Sequence, residues 1–166
     1  MKKLALAFVA IAIATTTAPI AAQDLPSVFL EELTWTEVRE AIDGGTTTII
    51  IPTAGTEQNG PHMVLGKHKF IINHTSAMMA RELENALVAP VVTYVPEGDV
   101  NNPTQGHLAK AGTITFPEEF YMRLLEYAAR SLEVHGFTDI VMIGDSGGNQ
   151  RGMEQVSRML NAEWTD

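Results

Sequence analysis

Two short polar segments concentrate the side chains able to hold a metal ion or move a proton. The first, Ala54 to Lys69 (AGTEQNGPHMVLGKHK), carries Glu57, Asn59, His62 and His68. The second, Gly144 to Gln150 (GDSGGNQ), carries Asp145, Ser146 and Asn149. Carboxylate and imidazole arriving from separate loops can meet around a divalent ion, and Zn²⁺ or Mn²⁺ suits such a mixed N/O set. An ion of that kind acidifies a water and polarises a carbonyl, which is the chemistry of amide hydrolysis. The spacing Glu57-x-Asn59 fits no standard zinc pattern, and loops are rich in such residues anyway. Solvated loop side chains or turn caps are therefore the competing reading. Ser146 beside Asp145 suggests a serine nucleophile, a reading set aside because Gly144-Asp-Ser-Gly-Gly is not read as having the G-x-S-x-G spacing. His107, in a later polar loop, is placed to reach a substrate, and His62 to orient a ligand from behind. His74 and His135 read as structural. Met78, Met79, Met122, Met153 and Met159 fall at helical positions and read as core filler.

These segments need elements to carry them. Thr34 or Thr36 can cap a short helix, Glu37 lies three residues after Thr34 as a capping box requires, and Asp43-Gly44-Gly45 should stop the helix. Thr46 to Pro52 is almost entirely β-branched and reads as a buried strand. The first polar segment follows it directly. Apolar residues at helical spacing then predict a helix over 70–87, and Val88 to Val95 a second strand. A polar loop spans 96–112, and Thr113 to Phe116 reads as a short strand. Pro117 with Glu118 and Glu119 opens a helix to about His135, closed by Gly136. Ile140 to Ile143 is a third buried strand, followed by the second polar segment and a last helix over about 151–163. Strand and helix alternate, so an α/β fold with a mostly parallel sheet is expected. In such sheets the ligand crevice lies beyond the strands' C-terminal ends, where both polar segments fall.

Composition narrows the classes. A hydrophobic fraction of 45% belongs to a folded domain, and 166 residues to a single one. The formal charge of −9 and the lack of a basic stripe argue against a nucleic-acid partner. Lys2 and Lys3, an uncharged run from Leu4 to Ala14, and small residues to Ala22 have the layout of a secretory signal peptide. Residues 1–22 are expected to be removed, leaving 23–166 as a periplasmic or secreted domain with no membrane span.

The segment Phe29 to Trp35 and the run Pro52-Thr-Ala-Gly-Thr-Glu-Gln-Asn-Gly-Pro-His62 resemble the corresponding parts of the creatininase (creatinine amidohydrolase) family. So do Ala111-Gly-Thr-Ile-Thr115, the His135-Gly-Phe137 turn, and Gly144-Asp-Ser-Gly-Gly-Asn149. The resemblance runs in order through the mature chain. It implies a three-layer α/β/α domain and metal-dependent hydrolysis of an amide or cyclic amide C–N bond in a small molecule. Family domains continue with further strands, so it also implies a domain without its C-terminal part. In oligomeric state the family implies a homo-oligomer.

Carried over position by position, the resemblance keeps Glu57 as an acidic ligand. Asn59 stands where the family has His, His68 where it has a bridging Asp, Asp145 where it has His, and Gly147 where some members have a further acid. The expectation is therefore one Zn²⁺ or Mn²⁺ ion, held by Glu57, His68 and Asp145 with Asn59 beside them, and His107 and His62 as the catalytic candidates. A non-catalytic small-molecule-binding protein on the same scaffold is the alternative.

Overall fold

The computed structural model describes residues 25–165. The proposed signal segment lies outside them. After a 3₁₀ turn at Leu30–Glu32, helix α1 spans Trp35–Asp43. Its start is the expected capping box: Thr34 Oγ1 accepts from the Glu37 amide at 3.3 Å, and the Glu37 carboxylate accepts from the Thr34 amide at 2.7 Å. Strand β1 (Thr48–Thr53) follows and is buried along its whole length. Helix α2 (Lys67–Leu83), strand β2 (Ala86–Val88), a 3₁₀ turn at Gly106–Ala109, helix α3 (Glu118–Val134), strand β3 (Asp139–Gly144) and helix α4 (Gly147–Glu163) complete the order.

The sheet is parallel, in the order β2-β1-β3, with Thr48 opposite both Ala86 and Asp139. Alternation along β1 divides the core. Ile49 and Ile51 face a large cluster built with Tyr121, Leu125 and Leu132 of α3 and Met153, Val156 and Leu160 of α4. Ile50 faces the other way, against Ala77 and Ala80 of α2. Val38 and Ile42 of α1 join the larger cluster. Helices thus cover both faces of the sheet, giving the three α/β/α layers. β3, expected to be buried, is instead an edge strand of the described sheet with no fully buried residue, and its Val141 is 42% exposed.

Several boundaries differ from the sequence reading. α2 starts three residues before Phe70 and ends at Leu83, because Glu84 turns left-handed (φ 63°) and closes the helix. Ala86–Val88 is then free to pair with β1, where the last turn of a longer helix was expected. Of the strand expected over 88–95, Val88 closes β2 and Val92 only bridges Thr53. Thr113 to Phe116 forms no strand; Ile114 makes a single antiparallel bridge to Thr56. α4 begins at Gly147 rather than near Arg151. Two of its glycines, poor helix formers in isolation, are required by contact. A Cβ on Gly148 would lie 3.0 Å from the Pro96 carbonyl oxygen, and one on Gly152 would lie 2.7 Å from the Tyr121 ring. Of the methionines read as core, Met153 is buried, but Met78, Met79 and Met159 are exposed. α2 meets the sheet through a narrow stripe that includes Ile72, Ala77 and Ala80, and the neighbouring Met positions fall outside it.

Candidate metal centre

The order β2-β1-β3 puts the chain's first connection on one side of β1 and its next strand on the other. The crevice of an open parallel sheet opens at such a reversal, beyond the C-terminal ends of the two diverging strands. Here those ends are Thr53 of β1 and Gly144 of β3, which lead directly into the two polar segments. A cavity of about 630 Å³ lies there, lined by Glu57, Asn59, His68, Glu97, His107 and Asp145 together with four glycines.

Glu57 is the centre of this arrangement and is 3% exposed. Its Oε1 accepts from His68 Nε2 at 2.8 Å and from Asn59 Nδ2 at 3.2 Å. His68, in the first turn of α2, reaches Asp145 Oδ2 with its other nitrogen at 2.7 Å. Lys67 Nζ donates to Asn59 Oδ1 at 2.8 Å. His107, on its 3₁₀ turn, places Nδ1 2.9 Å from the Gln58 carbonyl oxygen and 3.2 Å from Glu57 Oε2. A carbonyl can only accept, so the Gln58 contact puts a proton on Nδ1. Thr113 ties the two loops together: its hydroxyl donates to the His107 carbonyl at 2.8 Å and accepts from the Gln58 amide at 3.1 Å.

Glu97, which follows the β2 side of the sheet, was not singled out by the sequence reading. It is 7% exposed, and its amide is fixed by the Thr115 hydroxyl at 3.0 Å. Gly55 makes room for it: a Cβ there would collide with the Glu97 carboxyl. The one sequence signal was an acid set between Pro96 and Gly98 just beyond an apolar run, opposite a glycine-containing turn after β1. Burial pushes the Glu97 carboxyl up to about 9, with its hydrogen bond to Glu57 and the charges of Glu57 and Asp145 acting in the same direction. Burial also pushes Glu57 upward, but hydrogen bonds from Glu97 and Asn59, the His107 charge and the His68 bond outweigh it and hold that carboxyl below its usual range. The two carboxyls are thus pushed in opposite directions.

The remaining sequence candidates fall as follows. His68, Asp145, Asn59 and His107 line the cavity with Glu57, whereas His62 is exposed and does not. Gly144-Asp-Ser-Gly-Gly148 has the G-x-S-x-G spacing of a nucleophile elbow and sits between a strand and a helix. Yet Ser146 has an ordinary extended backbone (φ −91°, ψ 133°), and its hydroxyl bonds no histidine or carboxylate. Asn149 is wholly buried on α4.

A divalent ion fits the donor set. Glu57 Oε2 and Glu97 Oε1 are buried and accept from no other side chain or amide, so the only hydrogen bond open to this pair is the one between the two carboxyls. Orphaned anionic oxygens in a buried site are costly unless a proton or a cation compensates them. One ligand atom from each of Glu57, Glu97 and His107 can be chosen so that all three lie within 4.8 Å of one another. Two carboxylate oxygens and one imidazole are ligands that Zn²⁺ and Mn²⁺ accept.

Among curated proteins, the chain is 30% identical over 128 residues to the mycofactocin precursor peptide peptidase of Mycobacterium tuberculosis (strain CDC 1551 / Oshkosh), a match covering 72% of this chain and 48% of that protein. A peptidase of the same description from Mycobacterium ulcerans (strain Agy99) matches with the same identity and coverage. The chain spans about half the length of these relatives. Among solved structures, a creatinine amidohydrolase (creatininase) superposes with a TM-score of 0.74 at 22% identity, over 84% of this chain and 52% of that one. A structure described as "Creatininase Mn" gives 0.68 at 22% identity, over 84% of this chain and 55% of that one. The described fold is therefore the creatininase fold over about half of its length. The family model for creatinine amidohydrolase matches residues 31–166, and the chain belongs to the creatininase family.

Proposed function

We propose that this chain carries the metal site of a hydrolase of the creatininase type, acting on an amide or cyclic amide C–N bond in a small molecule. The observation that carries the proposal is the pair of buried carboxyls brought together beside His107, at the reversal point of the sheet. Glu57, Glu97 and His107 would hold one Zn²⁺ or Mn²⁺ ion. Bound there, the ion supplies Lewis acidity toward a carbonyl and toward water. His68 and Asn59 hold Glu57 in place through its other oxygen. The cavity admits a compact ligand, and Gly98, Gly106, Gly147 and Gly148 leave its wall free of side chains. Creatininase structures described as "Zn-Zn type" and "Creatininase Mn" support the choice of metals.

One observation favours the binding-protein alternative. Asn59 stands at a position where the family pattern has His, and its carbonyl oxygen is taken by Lys67. Both readings are tested by stripping the purified full chain with EDTA, restoring Zn²⁺ or Mn²⁺, and following turnover of creatinine, other cyclic amides, linear amides and short peptides. The peptides are included because the curated relatives are described as peptidases. Metal-dependent release of amine is the expected result. Saturable ligand binding without turnover would favour the binding protein, and absence of any Zn²⁺ or Mn²⁺ effect would reject the metal reading. Export rests on residues 1–22, and a mature protein that begins at Gln23 would bear it out.

A further inference from the structure

One wall of the cavity is the beginning of a helix. Ser146, Gly147 and Gly148 line it, and α4 opens at Gly147. The amides of a helix's first turn have no partner within the helix and form its positive end. A capping side chain or an acid in that turn usually meets them. α4 has neither: the Ser146 side chain makes no cap bond, and the first turn holds no acid. Gly147 stands where some members of the family have one. The Asn149 amide turns back to the Ser146 carbonyl at 3.3 Å, which leaves the Gly147 and Gly148 amides without an acceptor among the described residues. Asp145, the acid just before them, gives its Oδ2 to His68 instead.

Ser146 is a second, independent sign of a ligand. It is 8% exposed, so more than nine-tenths buried, yet its hydroxyl bonds nothing among the described residues. A buried hydroxyl without a partner is costly, and this one belongs to the cavity wall, where a ligand can satisfy it. The carbonyls of the turn are occupied, because the Gln150 side-chain amide donates to Gly144 at 2.8 Å and to Ser146 at 3.3 Å. Two amides and a hydroxyl remain, which suits an anion. Three donors match the two oxygens of a carboxylate. Glu57 and Asp145 share the cavity and admit one further negative charge more readily than the double charge of a phosphate.

We propose that the first turn of α4 receives a carboxylate carried by the substrate, so that the amide or cyclic amide taken by this cavity is itself an acid. This rests on the hydrolase reading above and narrows its substrate class. The substrate's carboxylate fills the place that an acidic side chain at position 147 would take, and it anchors the C–N bond in the cavity that holds Glu57, Glu97 and His107.

The test compares two pairs of probes that differ only in a carboxylate: pyroglutamate with pyrrolidone, and N-acetylglycine with N-acetylglycinamide. Each is titrated into the full-length protein labelled with ¹⁵N at glycine, with and without Zn²⁺. At least one acid should shift the Gly147 and Gly148 amide resonances, and its neutral counterpart should not. Gly147→Glu supplies the missing acid, and a Cβ at Gly147 meets no atom within 4 Å, so the helix has room for it. That variant, and Ser146→Ala, which removes one hydrogen bond to a charged group, should each lower affinity for that acid by at least about tenfold. Circular dichroism checks that both fold. Silence of both glycine amides toward both acids, equal responses to acid and neutral probe, or unchanged affinity in the folded variants would overturn this inference and leave metal-dependent hydrolysis standing. Glycine amides that respond to an acid, in a chain that hydrolyses no amide with Zn²⁺ or Mn²⁺, would overturn the hydrolase reading and leave the carboxylate subsite.

Discussion

Replacing Glu97 by Gln keeps the length of the side chain and a donor toward Glu57 while removing the ionisable group. In the metal-free protein, burial is the main reason the Glu97 carboxyl rises to about 9, against an ordinary value of 4.5. The folded value lies above the unfolded one, so folding takes up a proton between them. The contribution of Glu97 is therefore fully present below about 4.5 and is lost as pH rises toward 9. At pH 7 the chain is about 2.5 pH units past the unfolded value, each worth ~1.4 kcal/mol, a cost of about 3 kcal/mol. Gln bears none of it. The EDTA-treated variant should therefore be more stable than wild type at pH 7 by up to about 3 kcal/mol, or roughly 6–12 °C in Tm for a domain of this size. The difference should shrink toward pH 5 and widen toward pH 8.5. With Zn²⁺ at about a hundred times its Kd, wild type should gain about 2.7 kcal/mol, and the variant far less. Urea unfolding followed by circular dichroism, with EDTA and with Zn²⁺ across that pH range, measures all of this. A variant less stable than wild type in EDTA at pH 7, or a difference that does not change with pH, would refute the reasoning. The predicted combination, a more stable apo-protein with a weaker ion site, is the behaviour of a group kept for function at a cost in stability.

Gly55→Ala should cost about 1–3 kcal/mol, because its methyl group would meet the buried Glu97 carboxyl. Adding Glu97→Ala should recover much of that loss in a double-mutant cycle of unfolding free energies. Thr34→Ala removes the α1 capping box and should cost about 1 kcal/mol, with Zn²⁺ affinity unchanged by calorimetry. Acid should loosen α3 from α4. Bonds from Arg123 and Arg130 hold the Glu126 carboxyl below its usual range, and the Arg130 fork does the same for Glu163. Their contribution is present above about 4.5 and lost as pH falls below it. Melting temperature between pH 6 and pH 3 should therefore fall less in Arg130→Met than in wild type.

The elements were legible wherever their signal was local. The Thr34–Glu37 box, the β-branched run into Pro52, the acids opening α3 and the Ile140–Ile143 strand each depend on near neighbours, and each appears where its residues place it. The signal failed where distant packing overrode propensity. Gly147 and Gly148 read as loop because glycine is a poor helix former, but helix α4 runs so close to Pro96 and Tyr121 that it admits no side chain at Gly148 or Gly152. α2 read as longer than it is because Leu87 continues an apolar pattern that also suits a buried strand, and pairing of Ala86–Val88 with β1 decided between the two.

At the site, the sequence by itself determined the inventory: an acid, an amide and two histidines after one strand, and an acid after another. It also placed both sets at the carboxyl edge of a parallel sheet, because alternating strands and helices allow little else. Tertiary structure alone decided the pairing. His68 lies between Glu57, 11 residues away, and Asp145, 77 residues away. Glu97 enters because Gly55 makes room for it, and His62, equally plausible in the sequence, stays in solvent. Ligation depends on which lone pairs remain free after hydrogen bonding, and the charge of a carboxyl on how far it is buried. Both follow from distances of a few ångströms between loops, which residue order along the chain does not encode locally.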